Sequence, residues 1–362
     1  MAKLPSYESL TTAKGFFSLT PILSRGKHLN IVCGQRSSGK STATALFLLR
    51  EYLATGWGWI YTRRTKDEML ETCEHWFDNA VSILQSEGVD VNVEYTHGSY
   101  LVTYKGETKE AGRAIALSQE NKFKGENLSA FKYIVFDEFI NKNGNYLGGK
   151  NRPIFEYQCL ISLFQTADRG IGEAFSNNTY IICLGNLDSY YCPVFRGCGA
   201  DRYLNADVHF CAPKNEEWAV QIMREEDSPA VKEFKESIGY KLSDKRTKEY
   251  AYENMAKEAY ESAFVVKMTE PMDPICNLVY DGNTMAMYYS WKSGVFYIEN
   301  GKNHGKTYAL TSEDHTPNYF LAMSANGAEP VKQLKVLYEQ GRVRFANNKI
   351  KFYIDSYLKF VI

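Results

Sequence analysis

The stretch Gly34-Gln35-Arg36-Ser37-Ser38-Gly39-Lys40-Ser41-Thr42 fits the pattern G-x-x-x-x-G-K-[ST]. Glycines there let backbone N–H groups turn toward a phosphate with no Cβ in the way, and a helix N-terminus behind them adds its positive end. Lys40 in such a loop reaches the β- and γ-phosphates of a nucleotide, and the Ser41 hydroxyl ligates Mg²⁺. Further along, the apolar run Tyr133-Ile-Val-Phe136 ends in Asp137 and Glu138. Asp137 suits the Mg²⁺ shell, and Glu138 is placed to polarise a water for in-line attack on the γ-phosphate. A phosphotransferase would shield that position from water, so the adjacent acids favour hydrolysis over transfer. Asn186 follows the apolar run Tyr180–Leu184 and is either a turn-former with Gly185 or a polar sensor of the γ-phosphate. The chemistry these residues could perform is ATP hydrolysis with ATP and Mg²⁺.

Such groups need a rigid frame, and the first two hundred residues alternate strand with helix. Leu29–Cys33 is a short apolar run ending in glycine, and 41–54 carries leucines at helical spacing closed by Gly56. Residues 57–62 are aromatic and strand-like. Thr65-Lys-Asp-Glu68 has the spacing of a capping box and opens an amphipathic stretch to about Ser86. Finer alternation across 91–117 predicts a small inserted antiparallel hairpin. Continuous apolar strands between helices imply an α/β fold, a mostly parallel sheet covered on both faces.

Residues 214–261 are charged, favour helix and are poor in β-branched side chains, which predicts a helical linker with Ser228-Pro229 starting a helix. From Ala263 strand patterns return: Cys276–Tyr289 and Gly294–Glu299 as hairpin arms, helical patches at 317–325 and 329–340, and a closing hairpin over Arg342–Tyr353 turning at Asn-Asn. The expected organisation is an ATPase domain over 1–212, a helical linker over 213–262 and an α+β domain over 263–362.

At 362 residues the chain has room for about two domains. A hydrophobic fraction of 44% excludes global disorder. No run approaches the roughly 18 apolar residues of a spanning helix, and the first residues lack a secretion signal, so no membrane role and reduced cysteines are expected. A net charge of −1 means that nucleic-acid contacts must come from local patches. Cys192, Cys198, His209 and Cys211 cluster without the spacing of a zinc site, and Cys33 and Cys183 sit in apolar strands as small hydrophobes.

In order and spacing, GQRSSGKS, IYTRRTKDE, AIALSQENKFKGE, YIVFDEFI, LFQTADRG and IICLGN resemble the packaging ATPases of small phi-29-type tailed phages, which belong with terminase large subunits among the additional-strand P-loop motors. The resemblance spans most of the first two hundred residues and is fainter in the last hundred. It implies a RecA- and terminase-like P-loop NTPase with a vestigial RNase H-like nuclease domain. It further implies a homomeric ring, usually a pentamer, on the portal (connector) of an empty capsid in the host cytoplasm. The ring would drive double-stranded DNA inward by ATP hydrolysis, with a structural packaging RNA as a further partner. Arg169 in LFQTADRG matches the family's arginine finger, acting on a neighbouring subunit's nucleotide. Lys66 and Lys124 match further basic positions that act across the boundary, and Arg36 matches an arginine found in the loop of packaging motors.

Residues 264–362 hold eleven basic side chains (nine Lys and two Arg) against nine acidic ones. Arg342, Arg344, Lys349 and Lys351, interleaved with aromatics, suit a nucleic-acid-facing hairpin as well as a plain solvated one. Asp281 stands where a nuclease would want its first metal carboxylate, with Asp314 and Asp355 as partners only if the fold converges them. The alternatives are a nuclease-competent terminase large subunit and a non-motor P-loop protein that binds ATP.

Overall fold

The computed structural model describes residues 17–35, 38–70, 72–141, 144–149, 152, 154–169, 177–187, 192–204, 208–223, 236–243, 264–322 and 329–360. These fall into two compact units, one through Gly148 and from Ile154, the other comprising 264–360 together with Gly149 and Arg152.

The first unit opens with a short helix α1 (Thr20–Leu23) and strand β1 (Leu29–Cys33), followed by helix α2 (Lys40–Thr55) and β2 (Gly58–Thr62). Helices α3 (Lys66–Leu70) and α4 (Asp78–Ser86) precede β3 (Val91–Thr96), β4 (Ser99–Tyr104), β5 (Glu107–Ala114) and β6 (Phe131–Asp137). Helix α5 (Phe155–Ala167), β7 (Tyr180–Gly185), α6 (Pro193–Gly197), β8 (Phe210–Cys211), β9 (Trp218–Ile222) and a short α7 (Ile238–Leu242) complete the described elements.

Nine strands form one sheet in the order β3-β4-β5-β2-β6-β7-β1-β9-β8. The run from β5 to β9 is parallel, and antiparallel pairs occupy both edges. The inserted hairpin is thus a three-stranded meander whose last strand joins the parallel core. Every residue of β1 and β2 is buried, because helices cover both faces. Leu29, Ile31 and Cys33 face one core with Leu160, Leu163 and Ala167 of α5. Val32 faces the other with Ala45, Leu48 and Leu49 of α2. Strand β7 lies between β1 and β6, which separates the phosphate-loop strand from the acidic strand by one.

Two expectations for this unit need correction. The sheet runs past residue 212: Trp218–Ile222 is a strand paired in parallel with β1, not part of a helical linker. The capping box at Thr65 forms, with mutual hydrogen bonds between Thr65 and Glu68, but the amphipathic stretch after it is two helices rather than one. Ser228-Pro229 lies outside the described residues.

The second unit holds β10 (Asp273–Tyr280), β11 (Asn283–Ser290), β12 (Val295–Asn300), β13 (Lys306–Ala309), β14 (Phe320–Leu321), α8 (Glu329–Glu339), β15 (Val343–Phe345) and α9 (Asn348–Phe360). The sheet order is β14-β13-β10-β11-β12-β15. Strands β10, β11 and β12 form an antiparallel meander, β13 runs parallel to β10 on its free side, and β14 runs parallel to β13. That is the order and direction of strands in an RNase H-like sheet, extended by β15.

The expected closing hairpin is a strand followed by a helix. Asn347 Oδ1 accepts the Ile350 N–H at 3.0 Å, so the Asn-Asn pair starts a helix instead of turning a hairpin. Ile350, Tyr353, Ile354 and Tyr357 then share one buried stripe. The helical patch expected at 317–325 contains strand β14 instead.

Candidate active site

Strand register brings the chemistry to one edge of the first sheet. Cys33 of β1 is level with Gly185 of β7, and Leu184 is level with Asp137 of β6, so three successive strands end together. Ligands bind at that carboxyl edge in open parallel sheets. The Gly34 N–H donates to the Gly185 carbonyl at 3.1 Å, tying the loop to β7. Gly39 stands at the head of α2 with φ +86°, a left-handed turn that a Cβ would strain. Gly185 has no alternative either: a Cβ there would come within 2.9 Å of the Phe139 ring.

Lys40 is buried, and its Nζ donates to the carbonyls of Gly34 and Gln35 (both 2.7 Å), to Ser38 Oγ (3.3 Å) and to Asn186 Oδ1 (3.1 Å). Of the two readings of Asn186, this contact favours the polar one. Ser38, Gly39, Lys40, Ser41, Thr42, Asp137, Glu138 and Asn186 all line one cavity of about 700 Å³. Gln35 is buried within the loop and does not line the cavity. Arg36 and Ser37 lie outside the described residues.

Asp137 is buried and collects three hydrogen bonds. Tyr61 Oη and Arg63 Nη2 donate to Oδ2, both at 3.0 Å, and the Glu138 N–H donates to Oδ1 at 3.1 Å. Glu138 follows the strand in the left-handed region (φ +55°), so its largely exposed carboxylate enters the cavity beside the sheet edge. A non-glycine residue there stores about 1–3 kcal/mol of strain, a feature typical of functional sites. Arg63 Nη1 approaches Glu138 Oε2 at 3.4 Å, so one guanidinium spans both acids. Burial opposes the charge on Arg63, but Tyr61, Asp137 and Glu138 outweigh it and hold the group above its usual value. Burial, reinforced by Asp137, pushes the Tyr61 phenol well up and keeps it a donor.

Next to it, Arg64 forms a bidentate pair with the fully buried Glu156 (2.6 and 3.0 Å) and also donates to the carbonyls of Glu138 and Phe139. This locks the turn after β6 to the first residues of α5.

The three cations expected to act between subunits do not line this cavity. Arg169 is exposed just past α5 and donates to the Lys124 carbonyl at 3.3 Å, so these two share one outer surface. Lys124 also approaches Glu120 at 3.8 Å, and Lys66 is exposed at the head of α3. Arg63 is the site residue that sequence reasoning missed. Its signal was its place at the end of β2, the neighbour of the acidic strand.

In the second unit, three of the expected nucleic-acid residues are engaged internally. Lys351 is buried against Asp355, and Arg344 donates to the carbonyls of Gly341 and Val343 with its guanidinium 5.0 Å from the Phe264 ring. Lys349 lies over the Tyr353 ring, although it and Arg342 remain exposed. Two of the three candidate nuclease acids are committed to protein donors as well. Asp314 accepts the N–H groups of Asp281 and Gly282 (3.0 and 2.9 Å) and the Thr311 hydroxyl, while Asp355 binds Tyr338 and Lys351. Among the described residues, no group of three or more metal-ligating side chains is assembled, and that includes Cys192, Cys198, His209 and Cys211.

The chain is similar to known proteins along most of its length. Residues 13–360 match the family described as Podovirus DNA encapsidation protein (Gp16). The "DNA packaging protein" of Bacillus phage phi29 is 25% identical over 350 residues, 93% of this chain and 95% of that protein. Its counterpart in Bacillus phage PZA is 24% identical over the same shares. Among solved structures, a chain of the bacteriophage Phi-29 viral genome packaging motor assembly superposes with a TM-score of 0.69 at 22% identity, covering 95% of this chain and 99% of that one. A chain of the Phi-28 gp11 DNA packaging motor gives 0.65 at 17%, covering 96% and 98%.

Proposed function

The chain belongs to the podovirus DNA encapsidation protein family, and we propose that it is an ATP-hydrolysing motor that packages double-stranded DNA into an empty capsid. It works as a homomeric ring on the portal in the host cytoplasm, with a structural RNA as a further partner. The observation that carries the hydrolytic reading is the single cavity holding Lys40, Asp137, Glu138 and Asn186.

ATP lies along the loop with its phosphates at the head of α2. Lys40 exchanges its loop carbonyls for phosphate oxygens, and the backbone N–H groups of that helix start face the same anion. The donors suit a hard divalent cation: Ser41 offers a hydroxyl, and Asp137, with both lone pairs of Oδ2 taken by Tyr61 and Arg63, keeps one on Oδ1 beside the Glu138 N–H bond. Ser41 and Asp137 would hold Mg²⁺, which when bound neutralises charge on the β- and γ-phosphates. Glu138 orients a water and accepts its proton as the oxygen attacks the γ-phosphorus and the bond to the β-phosphate breaks. Asn186 bridges Lys40 and the reacting phosphate. Arg63 keeps the two carboxylates apart and aimed.

Arg169, with Lys124 beside it and Lys66 as a further cation, reaches the nucleotide of the neighbouring subunit. ATP binding then favours a closed interface and phosphate loss relaxes it, because the differential contact is gone. DNA is gripped through its phosphates, without regard to sequence.

The test is the ATPase rate with and without duplex DNA and empty capsids. Turnover that rises with both supports a motor. Turnover indifferent to DNA and capsids would reduce the chain to a nucleotide-binding protein.

A further inference from the structure

The phosphate chemistry uses only part of the cavity. Besides Ile140 near the sheet edge, its remaining lining is Phe17, Ala43, Leu46, Asn79, Ser82 and Ile83, all uncharged. Ala43 and Leu46 lie one above the other on α2, with Leu46 about 9 Å along the axis from Lys40. Asn79, Ser82 and Ile83 stand at i, i+3 and i+4 on α4 and present one stripe toward the same space. Phe17 is anchored beside the loop, its N–H donating to the Ser38 carbonyl at 2.8 Å. Asn79 and Ser82 are exposed, and neither side chain has a hydrogen-bond partner among the described residues.

We propose that this α2–α4 cleft is the nucleobase subsite, with Asn79 the residue that reads the base and Phe17, Leu46 and Ile83 its apolar walls. The proposal rests on the ATP reading above and names residues that reading leaves open. The chemistry favours adenine. A carboxamide offers one donor and one acceptor, the complement of the adenine amino group and an adjacent ring nitrogen. Guanine presents two neighbouring donors on its Watson–Crick edge, which call for a carboxylate, and none stands in this part of the lining.

Calorimetric titration of the full chain with Mg·ATP, Mg·GTP and Mg·tripolyphosphate tests this, since tripolyphosphate carries the phosphates without a base. Native protein is expected to bind ATP more tightly than GTP and both more tightly than tripolyphosphate. Asn79→Ala should weaken ATP about tenfold, the loss of one or two hydrogen bonds, and narrow the ATP–GTP difference. Ile83→Asp should weaken both nucleotides. Tripolyphosphate should bind both variants as it binds the native chain, while Lys40→Ala loses all three ligands. Native-like ATP affinity in both variants would overturn the subsite and leave the ATP reading standing. Equal loss of ATP and tripolyphosphate would also overturn it. Native protein that binds neither ligand would overturn the ATP reading itself.

Discussion

Lys40 Nζ donates to Asn186 Oδ1 at 3.1 Å, joining side chains 146 residues apart in the chain. The contact exists because β1 and β7 are adjacent and in register at their carboxyl ends. A hydrogen bond to an ammonium is worth about 1.5–3 kcal/mol. Asn186→Ala should therefore lower kcat for ATP hydrolysis about 10- to 100-fold with little change in ATP affinity, and Lys40→Ala should abolish binding. Unchanged turnover in Asn186→Ala would make this residue a turn-former only.

Glu138→Gln keeps the shape and the hydrogen-bonding capacity of the side chain but cannot accept the proton of the attacking water. Turnover should fall by about 10² to 10⁴ while Mg·ATP still binds. Arg169→Ala should also be inactive. Because Arg169 is exposed away from its own cavity, mixing the two inactive chains should restore part of the activity. No recovery at any mixing ratio would argue against a finger supplied by the neighbour.

Glu156 has no exposed surface and depends on Arg64. Burial pushes its carboxyl up, while the charge and hydrogen bonds of Arg64 and the Leu147 N–H pull against that. Removing one partner of such a pair costs about 3–5 kcal/mol. Glu156→Gln or Arg64→Met should lower the melting temperature by roughly 10 °C, taking 2–4 °C per kcal/mol. The double change Arg64→Met with Glu156→Leu should recover most of the loss. A melting temperature unmoved by Glu156→Gln would show that the ion pair contributes nothing.

The phosphate loop, the acidic strand and the strand carrying Asn186 could be read directly because each is a contiguous run whose chemistry is local. Arg63 could not. Its partners come from the pairing of β2 with β6, a relationship between strands some seventy residues apart that no local pattern encodes. Strand β9 was hidden by its surroundings, five buried residues flanked by charge, in a region where average composition speaks for helix. At the C-terminal end alternation over Val343–Phe345 was real, but the Asn347 cap switched the period from two to 3.6 after only three residues. Lys351 beyond it consequently lies buried against Asp355 in the core of its own domain.

Asp314 organises the β10–β11 turn, where Asp281 adopts φ +54°. Asp314→Ala removes the acceptor of two solvent-exposed backbone N–H groups, which water then serves, and should destabilise the second unit by only about 0.5–1.5 kcal/mol. Asp281→Asn keeps that backbone bonding and should change stability little. Neither the native chain nor Asp281→Asn should cut supercoiled plasmid with Mg²⁺ or Mn²⁺, because Asp314 and Asp355 are already committed to protein donors. Metal-dependent cutting lost in Asp281→Asn would restore the nuclease reading.

All eight cysteines are free thiols, and burial raises several of them. Cys198 and Cys276 are pushed up to about 12. At pH 8 only about one in 10⁴ of such thiols is ionised, and the thiolate is the reactive form. Iodoacetamide at pH 8 should leave both unmodified in the native chain and alkylate all eight cysteines after denaturation, as read by intact mass. The same shift fixes the sign of the alkaline response. Folded-state values above the unfolded value near 9 favour the fold below that pH, and the contribution is lost as pH climbs toward 12. The melting temperature should therefore fall between pH 8 and pH 10.5. Replacing Cys198 and Cys276 by Ala should lower stability at pH 8 while flattening that alkaline decline, and an undiminished decline would assign it to other groups.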